Sequence, residues 1–337
     1  YDVEEVYRAV LKNELGWENR PEGAGKMDVK KFIDKGYVPY ENSHFFGTHE
    51  GGSMFSASHT LEYSFSAYAA AQLASSLGHT EDYERLMKLS GGWELLFDDT
   101  LKLIRPRLED GSFIHNFNPL ESWRGFQEGN AVQYTFFVPH DPTSLIDRVG
   151  RDLFNHRLDS IFTEARKSIF GGGKTLNAFS GLSSPYNHGN QPSLHISWLF
   201  NFSGKPHLTQ KWTRLICDEF YGVTGEHGYG YGQDEDQGQL GAWYVMSAIG
   251  LFDVKGLTEK EPQLQIGSPI FDKIEIALSD SYYGGGSFVI ETINNSKENV
   301  YVQSISLNGN LQDSVFIPFK EIVSGGKLKL KMGPRPL

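Results

Sequence analysis

The sequence is poor in the features that mark several classes of protein. Its 337 residues include one cysteine, Cys217, so no disulfide can form within the chain. That thiol stands in the apolar run Trp212–Phe220, which favours a buried, inert side chain over a nucleophile. No apolar run reaches the length needed to span a bilayer, and no signal-peptide pattern is present at Tyr1.

Positive charge is also scarce, and the formal net charge is −11. An acidic chain is poorly suited to bind nucleic acid or an anionic membrane, so we expect neither as a partner. Aromatic residues make up 13% of the chain. Their flat rings can stack on sugars, although most of them are expected to fill the core.

Residues 1–255 are predicted to be mainly helical, because apolar residues recur there at helical spacing. Long loops that collect Asn, His, Asp and Trp join these segments, which suggests a helical toroid with a site built from loops. Helices are predicted at 2–15, 28–35, 58–77, 81–89, 93–97, 144–149, 152–168, 194–200, 207–220 and 238–249.

The pattern changes near Gly256, after which apolar and polar residues alternate. Strands are predicted at 273–278, 287–293, 300–307 and 327–332, with a hairpin turn at Asn308-Gly309. We therefore expect two domains, a helical one at residues 1–255 and a β-strand module at residues 256–337. The strands could also complete a sheet begun upstream of Tyr1.

Carboxylates occur on two separate loops. Asp234 and Asp236 stand in a Gly-rich turn before a helix, and Glu128 stands in the aromatic string Phe126–Asn130. A carboxylate pair on one loop and a single acid on another is what acid/base cleavage of a glycosidic bond requires. A general acid needs a pKa raised toward neutrality, which aromatic packing can provide by removing water.

Each acidic site has an alternative interpretation. Glu128 could be an ordinary surface residue or pair with Arg124, and Trp123 could be a core residue rather than a platform for a sugar. Asp236 could serve as the N-cap of the following helix, which is compatible with catalysis. A calcium loop of the EF-hand type is excluded, because Gly238 and Gln239 occupy its fifth and sixth positions.

A polar loop covers Tyr186–Pro192. The side-chain amides of Asn190 and Gln191 are hard oxygen donors suited to Ca²⁺, whereas an ordinary loop with Asn turns is the alternative. His188 and the other histidines do not show zinc spacing. Gly171–Thr175 lacks the first glycine of a phosphate-binding loop and no apolar strand precedes it, so we interpret it as a flexible loop.

Together these motifs resemble glycoside hydrolase family 92, the calcium-dependent, inverting exo-α-mannosidases. The resemblance covers essentially the whole chain, and its EGN-x-x-QY and DED-x-GQ strings are specific. The matching strings run in family order at Gly36–Pro39, Ser58–Tyr63, Arg105–Arg107, Phe117–Pro119, Glu128–Tyr134, Phe137–Asp141, Gly189–Ser193, Asp234–Gln239 and Ile266–Pro269.

The resemblance implies roles for the acids and amides. Glu128 matches the general acid of the family, and Asp234 and Asp236 match the carboxylates that activate water as the general base. Asn190 and Gln191 match the loop that helps to hold Ca²⁺, which binds O2 and O3 of the sugar. Retention of all three carboxylates favours an enzyme that removes terminal α-linked mannose from glycans.

The resemblance places His188 on the leaving-group side, and we also predict substrate contacts for Trp123 and Glu62. It implies an (α/α)₆ barrel whose C-terminal strands join an N-terminal β-sandwich, in a protein that is secreted or periplasmic. The sandwich and the first barrel helices would lie upstream of Tyr1, so we expect the barrel to be incomplete at its N-terminus. A β-sandwich segment, in the same or another polypeptide, is then the expected partner.

Two details of the polar loop depart from the family pattern. Gln191 stands where the family often has Glu, which removes a charge beside the metal. His188 is followed by Gly189 instead of Glu, which argues against α-1,2 specificity. Two other functions stay open, namely a carbohydrate-binding protein without turnover and a different glycosidase or lyase on a helical toroid.

Overall fold

The computed structural model describes residues 2–21, 24–42, 49–172, 181–222 and 237–337. The chain forms two compact units, of which the first comprises residues 1–149, 181–187 and 258–260 and the second residues 150–180, 188–257 and 261–337. Across the described ranges, no helix is both long and apolar enough to cross a membrane.

The first unit is built mainly of helices. The helices predicted for it from periodicity are confirmed to within two residues at each end. Its elements are α1 (Val3–Leu15), α2 (Val29–Lys35), α3 (Ser56–Leu77), α4 (Thr80–Ser90), α5 (Gly92–Leu96), β1 (Phe97–Asp98), β2 (Leu103–Ile104), α6 (Ala131–Tyr134) and α7 (Pro142–Val149).

Small side chains let α3 pack closely against α1 and α4. Ala67, Ala70, Ala71 and Ala74 lie on one face of α3 and are at most 3% exposed. They share an apolar cluster with residues of α1 and α4. Gly78 ends α3 in the left-handed conformation, with a φ of 84°, which glycine adopts without strain. This tight C-cap lets α4 begin almost at once and fold back along α3.

In its described residues, the second unit combines helices with two sheets. Its helices are α8 (Arg151–Arg166), α9 (Pro206–Glu219), α10 (Gln239–Ile249), α11 (Asp280–Tyr283) and α12 (Phe319–Val323), with 3₁₀ turns at Gln191–Ser193 and Ile196–Asn201. The predictions for α8, α9 and α10 are confirmed. The α-helix predicted at 194–200 is instead the second 3₁₀ segment.

The strands of the second unit are β3 (Leu251–Phe252), β4 (Gln263–Ile266), β5 (Lys273–Ala277), β6 (Ser287–Ile293), β7 (Tyr301–Leu307), β8 (Asn310–Gln312), β9 (Phe316–Pro318) and β10 (Gly326–Gly333). They form a five-stranded sheet in the order β5-β6-β10-β7-β8 and a three-stranded sheet in the order β3-β4-β9. Strand β10 is parallel to β6 and antiparallel to β7.

The hairpin predicted at Asn308-Gly309 is confirmed. The two residues join β7 to β8 with φ angles of 51° and 85°, the left-handed pair that a type I′ turn requires. Helix α9 is tied to this sheet, because Gln210 accepts a hydrogen bond of 3.0 Å from the backbone N–H of Val302.

Candidate active site

Glu128 lies on an irregular segment of the first unit, residues 123–130, here termed the acid loop. Glu128 and Trp123 both have left-handed backbones, with φ angles of 53° and 66°. Such a conformation costs a non-glycine residue about 1–3 kcal/mol, so surrounding interactions must enforce it. The side chain of Glu128 is exposed, which leaves its carboxyl accessible to a ligand.

The residues that follow Glu128 hold the acid loop in place. Gly129 has no room for a side chain, because a Cβ would lie 2.7 Å from Gln133 Oε1 and 2.8 Å from a ring carbon of Tyr134. Asn130 is fully buried and is the N-cap of α6. Its Oδ1 accepts hydrogen bonds from the N–H groups of Val132 and Gln133 at 3.0 and 3.2 Å.

Two buried amides then fasten the loop to residues 181–184. Asn130 Nδ2 donates to the carbonyl oxygens of Leu182 and Ser184 at 2.8 and 2.9 Å. Gln133 Nε2 donates to those of Gly181 and Ser184 at 2.9 and 2.7 Å. Buried polar groups that are fully paired favour one arrangement. The EGN-x-x-QY string is therefore a frame that presents one exposed acid.

The acid loop also binds the first turn of α3. The carbonyl oxygen of Gly125 accepts from the N–H groups of Ala57 and Ser58 at 2.9 and 3.1 Å. Ser58 Oγ accepts from the N–H of Gln127 at 2.9 Å, and Tyr134 Oη donates to the carbonyl of Gln127 at 2.7 Å. Helices α3 and α6 thereby fix the backbone beside Glu128.

The structure bears on two alternatives raised by the sequence. Arg124 forms its ion pair with Glu121, at 3.1 Å, and its guanidinium also donates to two backbone carbonyls. Trp123 is half-buried, and its ring centroid lies 5.6 Å from that of Phe55. Part of the indole is therefore open to contact, although its role as a sugar platform stays a prediction.

Glu62 lies on α3 one turn beyond Ser58, on the same side of the helix. Its side chain keeps exposed surface, yet the surrounding protein displaces enough water from the carboxyl to raise its pKa to about 7, and Lys26 opposes this shift. Burial raises the pKa of Tyr134, and the negative charges of Glu62 and Glu128 add to that increase. Both carboxyls thus act on the same hydroxyl. A perturbed, accessible carboxyl marks a candidate site.

We expect the Glu62→Gln variant to melt at a higher temperature than the unsubstituted protein at pH 8. The pKa of Glu62 rises from 4.5 to about 7 on folding, so the folded state holds the extra proton between these values. The free energy of unfolding therefore falls as pH rises through that window, and glutamine removes this loss. Thermal unfolding at pH 4 and pH 8 measures the effect, which should vanish at pH 4.

Glu291→Gln is a control of opposite sign. A hydrogen bond from Lys327 lowers the pKa of Glu291, so its charge stabilises the fold at neutral pH and the stabilisation is lost as pH falls. This control should lower the melting temperature at pH 8. A Glu62→Gln variant that also melts lower at pH 8 would contradict the raised pKa.

In the second unit, His188 is completely buried among aromatic rings. Its Nε2 lies 2.9 Å from Tyr221 Oη, which donates its own proton to the carbonyl of Leu240 at 2.9 Å. Nε2 therefore carries the imidazole proton and donates it to Tyr221. Burial lowers the pKa of His188 to about 3, so the ring is neutral. The described contacts of His188 are with protein, and its substrate contact stays a prediction.

Asn190 and Gln191 follow on the same loop. Asn190 is 7% exposed, and Gln191 begins the 3₁₀ turn that includes Ser193. Their amide oxygens and the buried Ser193 hydroxyl are hard, neutral donors, which fit Ca²⁺ in kind. Within the described part of the chain, no group of three or more His, Cys, Asp or Glu residues could hold a metal ion.

Asp234 and Asp236 lie outside the described residues, as does the alternative that Asp236 caps α10. In the first unit, Glu62 lies on α3, and Trp123 and Glu128 lie on the acid loop, which is hydrogen-bonded to the first turn of α3. The sequence analysis did not predict the roles of the residues that hold the acid loop in place. Asn130, directly before an apolar helical segment, carries an N-cap signal that could have predicted its role.

Comparison with known families decides the assignment of the chain. The sequence model of the "Glycosyl hydrolase family 92 catalytic domain" matches residues 1–334. The chain belongs to glycosyl hydrolase family 92. The resemblance drawn from the motifs is thereby confirmed over nearly every residue.

Solved structures of mannosidases are similar to this family 92 chain over its full length. A family GH92 α-mannosidase from Bacteroides thetaiotaomicron has a TM-score of 0.82 and 30% identity, and the match covers 100% of this chain and 40% of that one. The complex of that enzyme with mannoimidazole has a TM-score of 0.83 and 28% identity, and the match covers 100% of this chain and 41% of that one. A family GH92 inverting mannosidase from the same organism gives 0.82 and 26%, over 100% and 44% of the two chains.

A curated relative from Arthroderma benhamiae is described as an uncharacterized secreted glycosidase. It is 27% identical over 366 residues, which cover 98% of this family 92 chain and 42% of that protein. The chain therefore spans less than half the length of these relatives. The predicted mixture of helices and sheets agrees with the family 92 structures.

Proposed function

We propose that this chain carries the acid/base machinery of an exo-α-mannosidase that hydrolyses terminal α-linked mannose with inversion. Membership of family 92 and the similarity to mannosidases of known structure support this activity. The observation that carries the proposal is Glu128, an exposed carboxyl on a loop that hydrogen bonds tie to α3 and to residues 182–184.

Glu128 donates its proton to the glycosidic oxygen as the bond to the anomeric carbon breaks. Asp234 and Asp236 accept a proton from the water that attacks the opposite face of the sugar. An inverting mechanism places the two carboxyl sites ~6.5–9.5 Å apart to leave room for that water. Trp123 stacks on the sugar ring, and Glu62 binds one of its hydroxyls.

Asn190 and Gln191 would hold Ca²⁺ through their amide oxygens. When bound, the cation would supply positive charge that helps to bind the hydroxyls of the sugar. The neutral amide of Gln191 weakens this grip relative to a glutamate. His188 acts on the leaving-group side through Tyr221, and the absence of an acid at Gly189 disfavours α-1,2 linkages.

The proposed architecture is an (α/α)₆ barrel portion at residues 1–255, followed by a β-strand module at residues 256–337 that joins a β-sandwich. The partner in turnover is a mannose-containing glycan. The description of the Arthroderma benhamiae relative as secreted supports a location outside the cytoplasm.

Release of mannose from a panel of aryl glycosides tests this function. The purified protein, supplied with the β-sandwich segment expected as its partner, should hydrolyse aryl α-mannosides and leave aryl β-mannosides and α-glucosides intact. Binding of mannosides without any turnover would instead support a carbohydrate-binding protein. An unsaturated product would indicate a lyase.

A further inference from the structure

A buried carboxylate holds a histidine at the edge of the acid loop. His59 lies on α3 between Ser58 and Glu62, and its Nδ1 is 2.9 Å from Asp28 Oδ2. The Asp28 side chain is 0% exposed, whereas the imidazole keeps 19% of its surface open. The Asp28 carboxylate is therefore buried, whereas part of the His59 ring is accessible to solvent.

The backbone of Asp28 is held in a costly conformation. Its φ is 54°, and although it precedes α2 its side chain makes no capping hydrogen bond to that helix. Left-handed non-glycine residues persist where other interactions enforce them. Here the enforced geometry directs the carboxylate at His59 instead of at the helix N-terminus.

An acceptor at Nδ1 determines what the other ring nitrogen can do. With Nδ1–H donating to Asp28, Nε2 of the neutral imidazole is an acceptor. The ring cannot turn easily, because it stacks on Tyr63 at a centroid distance of 5.6 Å and an angle of 20°. Phe55 packs against it from another side at 6.3 Å. A fixed acceptor with an open edge is suited to a hydroxyl ligand.

The neighbours of His59 belong to the candidate sugar site. His59 and Glu62 are three positions apart on α3, so they project from the same side of the helix. Ser58 accepts a hydrogen bond from Gln127 of the acid loop, and the ring centroids of Phe55 and Trp123 are 5.6 Å apart. His59 thus stands among the side chains to which the proposed function gives substrate contacts.

We propose that His59 contacts the sugar through Nε2, which accepts a hydrogen bond from a pyranoside hydroxyl, and that Asp28 is its positioning residue. This inference rests on the proposed function, whose residues it extends. The ligand chemistry is that of a hydroxyl, which can donate to an unprotonated Nε2 while Nδ1–H is held by Asp28.

His59→Phe keeps a ring that can stack on Tyr63 and removes both nitrogens. We expect KM for an aryl α-mannoside to rise about tenfold with kcat nearly unchanged, since a neutral hydrogen bond contributes to ground state and transition state alike. His79→Phe is the matched control. His79 also stacks on a tyrosine, Tyr7, and pairs with Glu4, but it lies about 30 Å away past the far end of α3. It should leave KM unchanged.

Titration with methyl α-mannoside, followed through the imidazole ¹⁵N resonances, gives a readout independent of turnover. The Nε2 resonance of His59 should shift, and Asp28→Asn should alter the tautomer and raise KM in the same direction as His59→Phe. An active enzyme whose KM survives His59→Phe within twofold, with an unshifted Nε2, would overturn the inference. If the Nε2 resonance of His59 shifts with methyl α-mannoside but the protein does not cleave mannosides, the proposed function is refuted and the contact between His59 and the sugar is retained.

Discussion

Replacing Glu128 with glutamine is expected to lower kcat for mannosides with poor leaving groups by about 10²–10⁴-fold, the usual contribution of general acid catalysis. Glutamine has nearly the same shape but cannot donate a carboxyl proton. The carboxyl is exposed, and the hydrogen bonds of Gln127 and Asn130 hold the acid loop. The variant should therefore fold normally.

The leaving group separates a lost proton donor from a distorted site. A dinitrophenyl mannoside departs without protonation, so Glu128→Gln should cleave it at close to the rate of the unsubstituted enzyme. Glu121→Gln provides the matched control, because Glu121 lies just upstream of the acid loop, is exposed and pairs with Arg124. If Glu128→Gln lowered kcat equally for both kinds of substrate, Glu128 would not be the general acid.

Exhaustive chelation is expected to reduce mannoside hydrolysis by at least about a hundredfold, because the cation supplies several kcal/mol of charge stabilisation in such sites. Added Ca²⁺ should restore activity, while Mg²⁺ should not, since it requires a compact octahedral site and releases its waters reluctantly. Asn190→Ala should raise the Ca²⁺ concentration needed for recovery. Asn310→Ala, at an exposed position in β8, should not.

Calcium should also be visible without any substrate. A ligand present at 100 times its dissociation constant stabilises the folded state by about 2.7 kcal/mol, so Ca²⁺ should raise the melting temperature. That increase should shrink in Asn190→Ala. Full activity after chelation, with no thermal shift on adding Ca²⁺, would contradict the assignment of this loop to a metal.

Periodicity and local caps were sufficient to predict most elements, because they depend on residues close together in the chain. The 3.6-residue spacing and Gly78 delimit α3, and Asn308-Gly309 defines the β7–β8 hairpin. The segment Ile196–Asn201 is too short for apolar spacing to distinguish three residues per turn from 3.6. The paired strands β1 and β2 have two residues each, too few to show an alternating pattern.

The sequence could predict those residues of the candidate site that belong to a short, specific motif. Glu128 stands in a specific string, whereas the partners that define other site residues lie far away in sequence. His188 meets Tyr221, and His59 meets Asp28, only through tertiary packing. The raised pKa of Glu62 likewise depends on how much water the folded protein displaces, a quantity that no local pattern contains.

Proton NMR of the first mannose released tests the central claim most directly. The account predicts that the protein cleaves an aryl α-mannoside to give β-mannose first, with the α-anomer appearing later as the free sugar equilibrates. Initial release of α-mannose would contradict inversion and would imply a carboxyl pair only ~5–5.5 Å apart. The absence of any mannose release from α-mannosides would contradict the proposed activity itself.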